Sequence, residues 1–272
     1  MNKHSIKHYL SILLIITFTQ AHSLTIESKG THVKLSSSKL LTTYPIDHIK
    51  MSNNRAYPNQ SMTYTAIKLC DLLKPFQIKS TDMLEFIASD KFFVLIPAKK
   101  VMTCNKNSAI GYLAIEPPEK WPLLKNGTRT TAGPYGIIWV HPERSYISNE
   151  YWAWSVIKIV VHQTLDPKIF MTPPITQDAH IKKGFEVYVS HCAGCHSINK
   201  IGKGTIGPDL NIPKNPTEYY SNDATLKQFI RDPQSVRVIK NDRMSGSKED
   251  FLSNADLDDL IRYFHYMAKH KQ

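Results

Sequence analysis

The chain contains one Cys-Ala-Gly-Cys-His sequence, in which two residues separate the thiols of Cys192 and Cys195 and the imidazole of His196 follows directly. Two thiols at this spacing can add across the two vinyl groups of a porphyrin, and the histidine then lies under the ring as the proximal iron ligand. A redox dithiol and half of a zinc site share the spacing. A zinc site would need a second ligand pair, whereas Cys70 and Cys104 are 34 residues apart in the other half of the chain. The motif therefore predicts one covalently bound haem c.

The first 23 residues have the pattern of a secretory signal peptide. Lys3 and Lys7 give a basic start, an apolar run covers residues 9–18, and small residues at Ala21 and Ser23 precede the expected cleavage site. The run is about 10 residues long, well short of the roughly 20 that a transmembrane helix needs. We therefore expect a protein exported to the periplasm, with no transmembrane segment after signal removal. The alternative is an N-terminal core helix.

Prolines divide the rest of the chain in two. Pro167, Pro173 and Pro174 fall within one short stretch, and consecutive prolines cannot continue a helix or a central strand. A length of 272 residues is also typical of two domains. We therefore expect a linker over residues 165–176, one domain over residues 24–164 and a second over residues 177–272.

The second domain has the pattern of an all-α fold. Apolar residues recur at helical spacing in three segments, residues 179–190, 223–231 and 254–270. The first segment contains Gly184 and Phe185, and the last contains Tyr263 and Phe264. Together with the haem motif and the Gly204–Leu210 segment, these residues resemble the class I cytochromes c over residues 177–270.

The resemblance implies an electron carrier and assigns two more haem-site residues. In that family a proline carbonyl accepts a hydrogen bond from the haem histidine, which implies that Pro208 orients His196. The sixth iron ligand is expected between Leu210 and the last helix, where Met244 is the one methionine. Here Ser245 follows the methionine, whereas the family often has a proline. The alternatives are a gap-filling Met244 or a five-coordinate iron.

The first domain has a mixed pattern and is expected to be α+β and rich in strands. We expect a helix over residues 61–73, a hairpin over residues 83–96, and strands over residues 110–115, 136–140 and 152–161.

The order of these elements resembles the molybdopterin-binding domain of the sulfite-oxidase fold over residues 40–162. The metal-ligating cysteine of that family has no counterpart upstream of Tyr64, and only Arg55 lies near the place of its phosphate-binding residues. The resemblance therefore implies a relative without the cofactor. Cys70 and Cys104 form either a disulfide or two buried free thiols.

Several aromatic and imidazole side chains outside the motif are candidates for other roles. Trp139, Trp152 and Trp154 lie in or beside predicted strands, as part of the core or as a docking face. His180 lies at the start of the helical segment before the motif and His191 directly follows it. We expect both to be surface histidines.

Charge gives an expectation about partners. The chain has 34 Lys and Arg against 23 Asp and Glu, a formal net charge of +11. Residues 24–175 carry +7 of it and residues 176–272 carry +2. An export signal and the absence of a long basic cluster argue against nucleic acid, so we expect a basic face that steers an acidic redox protein or, as the alternative, rests near anionic lipid.

These observations together predict a periplasmic monohaem cytochrome c that transfers electrons between redox partners, alone or as a subunit of a larger complex. Its N-terminal domain would dock a partner and its haem would not act on a substrate. The alternative is a fused oxidoreductase whose N-terminal domain binds a molybdopterin-type cofactor and passes electrons to the haem. A haem sensor with a labile sixth ligand is the third function considered.

Overall fold

A computed structural model describes residues 22–52, 54, 56–124, 129–163, 176–220, 222–238, 244 and 246–272. The predicted signal peptide lies outside the described residues except for its last two positions, and the predicted linker lies outside them except for Thr176. The fold is multidomain, with a strand-rich N-terminal domain and a helical C-terminal domain, as the sequence predicts. None of the helices in the described ranges is long and apolar enough to cross a membrane.

In the described residues of the N-terminal domain, nine strands form two sheets. In chain order the strands are β1 Ser23–Ser28, β2 Thr31–Ser36, β3 Asp47–Ser52, β4 Ser61–Lys68, β5 Met83–Ala88, β6 Phe93–Pro97, β7 Ile110–Ile115, β8 Tyr135–Val140 and β9 Val156–His162. One sheet has the order β2-β1-β9-β5-β6 and the other the order β3-β4-β7-β8. All neighbouring strands are antiparallel except β1 and β9. Three short helices accompany the sheets, α1 Ser37–Thr43, α2 Leu69–Leu73 and α3 Ala98–Val101.

The helix predicted over residues 61–73 is wrong for its first eight residues, which form β4. Met62, Tyr64 and Ala66 are buried on one face of the strand and alternate with more exposed neighbours, a period of two rather than 3.6. Thr63 and Thr65, between them, are β-branched and favour an extended backbone. Only the last turn of the predicted helix, α2, is helical.

The predicted hairpin and the later strands are observed. β5 and β6 pair antiparallel, with Leu84 opposite Ile96 and Phe86 opposite Val94. β7 covers the predicted residues, β8 begins one residue earlier, and β9 begins at Val156 rather than at residue 152. The elements β1, β2, β3, α1 and α3 were not predicted from the sequence.

The C-terminal domain consists of α4 Ala179–His191, α5 Pro216–Tyr219, α6 Asp223–Arg231 and α7 Asn254–Ala268. α4 and α7 cross at Gly184, where an added Cβ would lie 2.1 Å from the backbone oxygen of Asp259. Phe185 and Tyr263 pack edge to face beside the crossing, with ring centroids 5.8 Å apart. A glycine is therefore what permits the two longest helices to approach each other.

The β5–β6 hairpin joins the two domains, because β6 packs into the hydrophobic core of each. Val94 and Ile96 on one face of β6 pack into the N-terminal core. Phe93 and Leu95 on its other face pack into the core of the C-terminal domain with Val187 of α4. A strand buried on both faces has a continuous run of apolar residues rather than alternating apolar and polar residues. The sequence of β6, Phe93–Pro97, is such a continuous run.

A buried ion pair also joins the domains. Glu85 of β5 is 2% exposed and accepts a hydrogen bond from Lys203 of the C-terminal domain. His162, at the end of β9, is 2.8 Å from the other carboxylate oxygen. Burial acts to raise the pKa of Glu85, but the hydrogen bonds from His162 and Lys203 outweigh it and hold this pKa below its ordinary value.

Candidate functional site

The Cys-Ala-Gly-Cys-His motif forms a tight turn at the end of α4. The N–H of Cys192 donates to the carbonyl of Tyr188 at 2.8 Å, and the N–H groups of Cys195 and His196 both donate to the carbonyl of Cys192, at 3.0 and 2.9 Å. The buried hydroxyl of Tyr188 donates to the carbonyl of His196 at 2.9 Å. These bonds fix the turn, so that both thiols and the imidazole line one cavity.

The imidazole of His196 is held from two sides. Its Nδ1 is 2.7 Å from the carbonyl oxygen of Pro208, to which it donates. Gly207 lies against the ring, because an added Cβ would be 2.2 Å from Cε1. Burial lowers the pKa of His196, although the bond to Pro208 and the nearby carboxylates oppose this. The neutral ring with its proton on Nδ1 leaves the Nε2 lone pair free for a metal.

Asp209 fixes the loop that presents the proline. Its carboxylate accepts from the hydroxyl of Ser197 at 2.8 Å and from the backbone N–H groups of Lys200, Asn211 and Ile212 at 2.6, 2.8 and 2.8 Å. Burial acts to raise the pKa of Asp209, and these bonds outweigh it and lower the pKa. The loop after the motif is therefore stabilised by an ionised side chain next to Pro208.

The cavity has a volume of about 1050 Å³ and lies between the two domains. Met244, which is half-buried, lines it together with Cys192, Cys195, His196 and Pro208, so the structure brings all five predicted site residues together. The rest of the C-terminal lining is mostly apolar. The N-terminal domain adds a wall that contains Asp90, Phe92, Asn149, Glu150, Trp152 and Trp154.

These residues fit a covalently bound haem. The two thiols of the motif are not in a disulfide, the imidazole is oriented by Pro208, and Met244 offers a thioether on the same cavity. The lining also contains two buried polar atoms, Nε1 of Trp154 and the hydroxyl of Tyr220, that have no hydrogen-bond partner among the described residues. Cys192 and Cys195 would hold the porphyrin, and His196 and Met244 would be the axial ligands.

The alternatives for the motif have less support. Burial raises the pKa of the Cys192 thiol to about 12, and the adjacent Cys195 and Glu150 add to the effect. A redox dithiol needs a lowered thiol pKa, so this environment does not suit one. Among the described residues no three His, Cys, Asp or Glu side chains form a cluster that could hold a metal ion.

The other two cysteines are paired. Cys70 of α2 and Cys104 form a disulfide with a Cα–Cα distance of 6.3 Å, which decides between the two states that the sequence left open. Neither sulfur is therefore available as a thiolate ligand while the bond is intact.

Two expectations about individual side chains need correction or refinement. His191 is half-buried rather than on the surface, and burial lowers its pKa to about 4. Trp139 is a core residue, with Nε1 donating to the carbonyl of Tyr151 at 3.0 Å. Trp152 and Trp154 are half-buried and pack against the core of the N-terminal domain, and they also line the cavity.

The contribution of the N-terminal domain to this cavity was not predicted from the sequence. Glu150 lies about 40 residues before the motif and belongs to a segment without a recognisable pattern. The apolar run of β6 was the one available signal, since a two-sided strand needs a partner on each face.

Comparisons with known proteins agree with the assignment of the C-terminal domain. A family model described as cytochrome c matches residues 181–268. The crystal structure of the sulfane dehydrogenase SoxCD from Paracoccus pantotrophus is similar to this chain at 14% sequence identity and a TM-score of 0.36, over 54% of this chain and 39% of that chain. No curated protein matches the chain in sequence.

Proposed function

We propose that this chain, whose residues 181–268 form a cytochrome c domain, is a periplasmic electron-transfer protein that carries one haem. The observation that carries the proposal is the hydrogen bond of 2.7 Å between Nδ1 of His196 and the carbonyl of Pro208, on a cavity that is also lined by the two cysteines of the motif, neither of them in a disulfide. Covalently bound haem supplies a one-electron couple between Fe(III) and Fe(II). One attachment motif in the sequence corresponds to one haem.

The protein groups of the site orient and tune rather than react. Pro208 fixes the tautomer of His196 and makes Nε2 a stronger donor. The Met244 thioether would be a soft ligand that favours the ferrous state and raises the potential. If His196 and Met244 both held the iron, no ligand position would remain for a substrate, so the proposed chemistry is outer-sphere electron transfer.

The paired cysteines support export to the periplasm. Disulfides form and persist in oxidising compartments and are rare in the cytosol. Cys70 and Cys104 are joined in a part of the chain that has no role in the haem cavity. This agrees with the signal peptide expected over residues 1–23.

We propose that the N-terminal domain docks a redox partner and does not perform the substrate chemistry of the alternative function. A molybdenum centre of the sulfite-oxidase type needs a cysteine thiolate, and the cysteines of this domain, Cys70 and Cys104, are both in the disulfide. The net charge of +7 over residues 24–175 favours an acidic partner. The rate of electron transfer should then fall steeply as salt is added.

The first experiment measures iron and molybdenum per chain. The protein is exported in a host that attaches c-type haem and supplies the molybdenum cofactor, and its metals are measured by elemental analysis. We expect one iron, no molybdenum and a reversible one-electron couple. Stoichiometric molybdenum would establish the alternative oxidoreductase, and the absence of iron would refute the haem assignment.

A second experiment tests the axial ligand. Ferric haem with sulfur ligation has a weak charge-transfer band in the red, and we expect Met244→Ala to remove this band. Met267 is fully buried in the core of the C-terminal domain, so Met267→Leu should retain it. Retention of the band in Met244→Ala would disprove the ligation. Carbon monoxide binding to the reduced wild type would favour the sensor function.

A further inference from the structure

The N-terminal wall of the haem cavity contains two carboxylate side chains, those of Asp90 and Glu150. Asp90 is exposed and accepts a hydrogen bond from the N–H of Phe92 at 3.0 Å, whereas Glu150 is half-buried. Glu150 lies in the 3-10 turn Asn149–Tyr151 and lines the same cavity as Cys192 and His196. An acidic side chain of one domain therefore lines the same cavity as the haem-binding residues of the other domain.

The backbone around Glu150 is fixed. The N–H of Glu150 donates to the hydroxyl of Ser148 at 3.2 Å, and Ser148 is fully buried. The carbonyl of the next residue, Tyr151, accepts from the buried indole of Trp139 at 3.0 Å. The Tyr151 ring lies 6.4 Å from the ring of His191, at the end of α4. The turn is thus held between the N-terminal core and the helix that carries the haem motif.

The domains are also held together on the other side of the motif. An added Cβ at Gly194 would lie 3.1 Å from the carbonyl of Phe93, so the haem-binding turn contacts the β5–β6 hairpin directly. The ion pair of Lys203 with buried Glu85 fixes the segment after the motif. These contacts keep the wall and the motif in one arrangement.

We infer that the N-terminal domain sets the redox potential of the haem by placing the carboxylate of Glu150 in the wall of the haem cavity. The inference rests on the proposed function. Ferric haem carries one more positive charge than ferrous haem, so a nearby negative charge stabilises the ferric state and lowers the potential. A partly buried charge is screened less by water and salt than an exposed one. Two other carboxylates line the cavity, Asp209 next to Pro208 and the exposed Asp90, and both are unchanged by the experiment below.

The test is the midpoint potential of four variants that carry haem. Glu150→Gln removes the charge and keeps the shape, Glu150→Ala removes both, and Glu150→Asp retains the charge. Glu143→Gln is the matched control, because its side chain is 60% exposed, lies seven residues away and does not line the cavity. Haem content and the Soret band establish that each variant is folded.

We expect Glu150→Gln and Glu150→Ala to increase the ferrous-to-ferric ratio at a fixed applied potential by between about twofold and tenfold, tenfold being 59 mV for a one-electron couple. Glu150→Asp should retain most of the wild-type value, and Glu143→Gln should leave the ratio nearly unchanged. A Glu150→Gln shift no larger than that of Glu143→Gln, or an equal shift in Glu150→Asp, would overturn the inference. If the wild type itself shows no reversible one-electron couple, the proposed function would be refuted instead.

Discussion

The substitution Gly207→Ala should detach His196 from the iron without releasing the haem. A Cβ at position 207 would lie 2.2 Å from Cε1, 2.5 Å from Nδ1 and 2.7 Å from Nε2 of the imidazole. Carbon atoms in contact are normally about 3.5–4.0 Å apart, so the ring must move by more than about 1 Å. Overpacking of this kind costs about 1–3 kcal/mol, and the lost bond to Pro208 adds about 1 kcal/mol.

The assay for Gly207→Ala is the ferric absorption spectrum together with the free energy of unfolding. Because both thiols are unaffected, we expect one haem per chain but a change from low spin to high spin, and binding of carbon monoxide to the reduced protein. Gly184→Ala is the control, since it clashes with Asp259 far from the imidazole and should lower stability with a normal spectrum. An unchanged low-spin spectrum in Gly207→Ala would refute the reasoning.

Three further predictions concern stability. Gly184→Ala should lower the free energy of unfolding in denaturant titration. Helix propensity alone would favour alanine by about 1 kcal/mol, but the added Cβ would lie 2.1 Å from the backbone oxygen of Asp259, and this clash cannot relax along a flexible side chain. A stabilised variant would contradict the prediction. Replacing Cys70 and Cys104 together by serine should cost about 3–4 kcal/mol by loop-closure entropy for a separation of 34 residues, and an unchanged denaturation midpoint would show that the disulfide does not constrain the unfolded chain. Because the pKa of Glu85 is lowered on folding, its contribution to stability is present above the ordinary glutamate pKa of 4.5 and is lost as the pH falls through the lowered value. Glu85→Gln should therefore have a lower melting temperature than the wild type at neutral pH, and the difference should shrink in acid. A difference in melting temperature that does not change with pH would argue against the ion pair.

Most of the haem site could be predicted from the sequence because its chemistry depends on local spacing. The motif fixes Cys192, Cys195 and His196 within five residues, and the structure places Pro208 and Met244 on the same cavity. Three helices of that domain, α4, α6 and α7, have clear apolar periodicity and lie within about one or two residues of their predicted bounds, whereas the short α5 was not predicted.

The N-terminal domain was less predictable because its strands depend on distant partners. β1 pairs with β9, more than a hundred residues later, and no local pattern indicates that contact. The apolar side chains of residues 61–68 were compatible with a helix when considered together with residues 69–73. Pairing with β3 on one side and β7 on the other decides in favour of a strand. The wall of the haem cavity, including Glu150, could not be predicted for the same reason.

The two-sided strand β6 has a consequence for how the protein matures. It lies at the edge of its sheet, and Phe93 and Leu95 pack into the core of the C-terminal domain. While that domain is unfolded, this edge strand presents apolar side chains that can associate with other chains. We therefore expect chains in which the C-terminal domain fails to fold to aggregate through their N-terminal half as well. Folding of the C-terminal domain would thereby protect both halves of the molecule.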